Sequence, residues 1–166
     1  MSIQSGSVLL QANFSLSQAL GGTFGSTGLA ANFNGSTQGL NVQLTPGAGL
    51  NQFQNIYAGG QSVPNGAPVT LNLVDGSLKM PDGTATNFTD IQLLVIRNNG
   101  AAVLTVGGGT TPVASIGTIT VNPGAIAVLI ANASGAPYTV TAVTAMLLKF
   151  TSAAGTLPVD VIIAGH

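Results

Sequence analysis

Asp75, Asp82, Asp90, Asp160 and His166 are the carboxylate and imidazole groups of this 166-residue chain, which has no Glu and no Cys. Nucleophilic catalysis needs a hydroxyl held against a base. The only candidate base of that kind, His166, is the last residue of the sequence, where chains usually fray, so it is expected to be inert. Paired-carboxylate chemistry needs two acids at a set separation, and the spacing of the four Asp singles out no such pair. Asp75-Gly76 and Asp82-Gly83 read instead as turns, in which Asp accepts from a nearby amide and Gly takes a positive φ. Asp90 and Asp160 are expected to pair with Arg97 or Lys149. A zinc site needs a Cys or His cluster, and a calcium loop needs denser oxygens than the stretch Asp75 to Thr84 offers. Gly107-Gly108-Gly109-Thr110-Thr111 follows a strand pattern but lacks the Lys and helix of a phosphate loop, and Pro112 leads into another strand. The reading is of no catalytic residue, no metal, no cofactor and no enzyme.

The elements that would carry these residues are punctuated by 23 Gly and 8 Pro, and no window sustains a helical apolar period. Strand patterns are frequent: Val8 to Leu16, Leu40 to Leu44, Phe53 to Ala58, Val69 to Val74 and Ile91 to Arg97. They continue with Ala102 to Val106, Ile116 to Val121, Ala125 to Ala131, Tyr138 to Ala142, Ala145 to Phe150 and Val159 to Ile163. The turn signal Asn98-Asn99-Gly100 between two apolar runs predicts a hairpin. About ten short strands at this spacing predict an all-β fold, a single β-sandwich domain over 1–166 with jelly-roll-like connections. Residues 15–52 are rich in Gly, Ser, Asn, Gln and Thr and too poor in apolar residues for a core of their own. They are expected to form an extended loop or an arm that orders against a neighbouring subunit. Phe14, Phe24, Leu29 and Phe33 are its candidate interface residues.

Hydrophobic residues make up 45% of the chain but charged ones only 4%, against roughly 25% in ordinary domains. The first charged side chain is Asp75. A surface so poor in charge suits a subunit covered by neighbours, because solvated charge is what keeps free domains apart. Three basic residues, Lys79, Arg97 and Lys149, cannot neutralise a row of phosphates, so nucleic acid is not an expected partner. The longest apolar run, Ala125 to Ala131, is far below the ~20 residues that span a bilayer, and no secretory signal is evident. Four Asn-x-Ser/Thr triplets, at Asn13, Asn34, Asn87 and Asn132, are chance matches in so Asn- and Ser-rich a chain.

From Phe53 onward the strand and turn patterns follow in a recognisable order. They include Asn55-Ile56-Tyr57-Ala58, Ile91 to Asn98, Leu104 to Gly108, Val121-Asn122-Pro123-Gly124 and Val161 to Gly165. In this the chain resembles the small β-rich virion structural proteins of tailed bacteriophages. The resemblance covers about two-thirds of the chain and rests on strand-and-turn patterns rather than catalytic signatures. It implies a head decoration (cement) protein, made in the host cytoplasm and resident in the virion. Its implied partners are the major capsid protein or other virion subunits, and its implied assembly is a homo-oligomer, in that class frequently a trimer. A tail or fibre component is an alternative within the particle, and a carbohydrate-binding or adhesion module is an alternative outside it. Sugar-binding faces usually present stacked aromatics, whereas this chain has six Phe, two Tyr and no Trp.

Overall fold

The computed structural model describes residues 29–33, 40–49, 52–131 and 138–166. Among these the chain is all-β, with several antiparallel sheets and one turn of 3-10 helix at Ala114–Ile116. The strands are β1 (Leu29–Phe33), β2 (Leu40–Pro46), β3 (Gln52–Phe53), β4 (Asn55–Val63), β5 (Val69–Asn72), β6 (Leu78–Lys79) and β7 (Ala85–Thr86). They continue as β8 (Asp90–Asn98), β9 (Leu104–Gly107), β10 (Thr118–Val121), β11 (Ile126–Ile130), β12 (Tyr138–Thr139), β13 (Leu147–Ser152) and β14 (Leu157–Gly165).

The longest strands share one sheet, in the order β11-β8-β14-β4, with β12 also pairing to β8. A second sheet runs β10-β9-β13-β5. The largest apolar cluster draws on both: Ile91, Leu94, Ile96, Val159, Val161 and Ile163 from the first, Leu71, Leu104, Val106, Val121, Leu148 and Phe150 from the second. Period-two alternation explains the choice of residues. On β14, Leu157, Val159, Val161 and Ile163 are buried, while Pro158 and Asp160 between them are exposed. β8 departs from alternation because six consecutive residues, Ile91 to Ile96, are buried, so both of its faces are covered.

What covers the second face of β8 comes in part from the Gly- and Ser-rich segment, whose expected strand at Leu40 to Leu44 is β2. Within 15–52, the described residues are not an open loop. β1 pairs antiparallel with β2, and β2 pairs in parallel with β3. Leu44 and Phe53 close over Ile56, Leu93, Val95 and Ala164 on the outer face of the five-stranded sheet. The segment is too thin to build a core, but it borrows one. Burying Leu44 and Phe53 in this way stabilises by roughly 1.5–3 kcal/mol each.

The hairpin expected across Asn98-Asn99-Gly100 is corrected. β8 pairs with β11 and β14, whereas β9 pairs with β10 and β13, so this corner carries the chain from one sheet to the other. Asn98 is fully buried. Its Nδ2 donates to Ala102 O at 2.8 Å and Val121 O at 3.0 Å, and its Oδ1 accepts from Gly100 N–H at 3.0 Å. A Cβ on residue 100 would collide with Leu157, so Gly lets the corner close against β14. A polar-Gly link marks a change of direction, and here the buried amide turns that change into a crossing between sheets.

Candidate functional site

The groups able to do chemistry meet at one place, where the end of β14 runs beside the start of β8. The ladder between these strands shifts register between Ala164 and Gly165, which faces Ile91. A side chain at 165 would meet the Asp90 carbonyl, so Gly165 permits the close approach. His166 is thereby tied in, contrary to the expectation of a frayed end. Its carbonyl accepts from the amides of Thr89 and Asp90 and from the Thr89 hydroxyl at 3.2 Å. Its own amide donates to Asp90 Oδ1 at 3.3 Å.

The ring completes the arrangement. Nδ1 lies 2.9 Å from Asp90 Oδ2 and 3.1 Å from Oδ1, with the two side chains 13% and 17% exposed. Nε2 faces the carbonyl of Gly47 at 3.2 Å. Asp90 therefore pairs with His166 and not with Arg97 or Lys149, as the sequence suggested; the strand crossing brings the imidazole nearer. A carboxylate orienting an imidazole is half of a nucleophilic triad. Here the ring nitrogen that a nucleophile would use points at a backbone carbonyl. The geometry makes a clasp between the β2–β3 turn and the edge of the five-stranded sheet.

The other candidate carboxylates serve the backbone. Asp75 Oδ1 accepts from the Ser77 amide at 2.9 Å, and Asp82 Oδ1 from the Thr84 amide at 2.9 Å. Gly76 and Gly83 follow at φ 71° and 87°, as the Asp-Gly pairs predicted. Hydrogen bonds from Ser77 hold the Asp75 carboxyl below its ordinary range, and those from Thr84 do the same for Asp82. Asp160 stands opposite Arg97 in register, yet it accepts from Asn99 Nδ2 at 2.7 Å instead. Among the described residues, no three of His, Cys, Asp or Glu come together.

Of the interface candidates, Phe14 and Phe24 lie outside the described residues, as does the strand expected at Val8 to Leu16. Leu29 and Phe33 are the two ends of β1, in register with Leu44 and Leu40. Two surface features had no sequence signal. Val143 is 74% exposed with φ 74°, a conformation that a β-branched residue rarely adopts. Ile126, at one end of β11, is 53% exposed although its run reads as a buried strand. In comparisons with known proteins, no family, no curated protein and no solved structure matches the chain.

Proposed function

We propose that this chain is a structural subunit of a viral particle, a decoration (cement) protein that binds the outside of an assembled head. In this reading the two main sheets are the two layers of a β-sandwich, with β1–β3 laid over one of them. The observation that carries it is a charged fraction of 4% together with apolar side chains left on the outside, Ile126 and Val143. A free, concentrated domain is poorly served by such a surface, whereas a subunit flanked by neighbours needs little else. Binding that exists only on the assembled shell stabilises that shell by mass action and requires no active site.

The test is the copy number of the chain in purified particles, measured by quantitative mass spectrometry against the major shell protein. A fixed ratio at hundreds of copies supports decoration. A few to a few tens of copies moves the role to tail or fibre, and absence from particles removes the virion reading. Glycan binding by the isolated chain would then put an adhesion module first. Among the described residues the aromatics give that alternative little support: Phe53, Tyr57, Phe88 and Phe150 are buried.

A further inference from the structure

Among the described residues, β11 has a partner on one side only. Its ladder with β8 sets Ala127 opposite Ile96 and Leu129 opposite Leu94. It continues with the Ala131 amide donating to Gln92 O at 2.8 Å. In an antiparallel ladder, residues that exchange hydrogen bonds with the neighbour alternate with residues whose N–H and C=O point away. Ala131 shares parity with Ala127 and Leu129. Ile126, Val128 and Ile130 therefore direct their backbone groups outward.

Free-standing proteins blunt such an edge with a charge, a Pro or a bulge. β11 has none of these: it reads Ile-Ala-Val-Leu-Ile and holds an unbroken register with β8. The opposite edge of the same sheet, β4, contains Gly59-Gly60 and is followed by Pro64. The side chains of the outward set fall on the outer face of the sheet, where Val128 and Ile130 pack beside Leu93 and Val95.

We propose that the outer edge of β11 is a docking strand for a second copy of this chain. Two copies pair antiparallel about a two-fold axis at Val128 and join their five-stranded sheets into one. The pattern is self-complementary. An axis at Val128 sets Val128 against its own copy and Ile126 against Ile130 of the second copy. Every outward N–H and C=O of the strand then meets an outward group, and the facing side chains are β-branched apolar pairs, which favour sheet pairing. The nearest charge is Arg97, opposite Ile126 on β8. Strand spacing places the two copies of Arg97 roughly 20 Å apart, beyond the Debye length of ~8 Å at physiological salt. A five-residue pairing is a small contact, so dimers form at high concentration in solution and tighten when a larger assembly holds the copies together. This inference does not depend on the assembly being a viral particle.

The experiment is sedimentation of the full chain up to ~0.5 mM, a range that resolves weak association, with hydrogen exchange read at the amides of 126, 128 and 130. Two variants accompany it. Val128→Pro removes an outward N–H and leaves the ladder with β8 intact, while Ile126→Lys charges a position that is already exposed. The wild type should move from one to two copies with concentration, and the three amides should gain protection in step. Each variant that keeps the wild-type circular dichroism and melting should weaken dimerisation at least tenfold. A wild type that stays monomeric overturns the proposal, as does dimerisation unchanged in both variants. Protection independent of concentration also overturns it, because another segment of the same chain would then cover the edge.

Discussion

The ring of His166 reaches two parts of the chain that are distant in sequence, Asp90 on one nitrogen and the Gly47 carbonyl on the other. His166→Ala should therefore lower stability by about 1–3 kcal/mol in urea unfolding, the range for leaving a desolvated polar group without its partner. It should also speed proteolysis within residues 29–53, and unchanged cleavage there would show that Leu44 and Phe53 hold the segment without the clasp. At Val143, a left-handed conformation costs a β-branched residue about 1–2 kcal/mol. Val143→Gly should raise the melting temperature by a few degrees, less whatever the added freedom of Gly takes back. Asp75 and Asp82 have carboxyls held below the ordinary carboxylate range by their hydrogen bonds, so the unfolded chain binds more protons than the folded one around that range. Their contribution is complete above the unfolded value and is lost as pH falls through the lower folded values. Asp75→Asn with Asp82→Asn should flatten the fall in melting temperature below about pH 4. These two Asp were legible in the sequence because an Asp-Gly turn is a local event. The His166 clasp was not, since its partner lies 76 residues away and meets it only through strand pairing.

At the scale of elements, the corner at Asn98 is the sharpest case. Its amide serves two carbonyls and one amide N–H with no exposure to water, so Asn98→Ala strands three backbone groups at once. A loss of about 3 kcal/mol or more is expected from the urea midpoint, and a loss under 1 kcal/mol would mean that water replaces the side chain. The strands themselves were readable from short apolar runs bounded by turn signals, and their positions agree over most of residues 53–163. Their pairing was not readable, because alternation reports which face is buried and says nothing about which strand lies alongside. β6 and β7 passed unseen, being two residues each and set by the Asp82-Gly83 turn between them. Before residue 53, the strand at Leu40 to Leu44 was legible and is β2, whereas β1 was not. Leu44 and Phe53 are too few for a self-contained unit but seat the segment on a sheet built elsewhere.

For the molecule as a whole, three cations and four carboxylates leave little for salt to screen. If the chain is a decoration subunit, its affinity for heads should change little between low and high ionic strength, because apolar and amide contacts are not screened as ion pairs are. A tenfold loss over that range, measured by co-sedimentation with heads, would point to contacts of a different kind. The place of β14 has a consequence of its own. It lies between β4 and β8 and pairs with both along nearly its whole length, yet it follows every other described strand in the chain. During synthesis the middle of the main sheet therefore emerges after both strands that flank it, and until it does β4 and β8 have no one between them. The chain emerges with its centre missing and two long strand edges open. Its completion is dominated by distant pairings and correspondingly slow. The interval between the emergence of β8 and that closing step is when the chain is most exposed to aggregation.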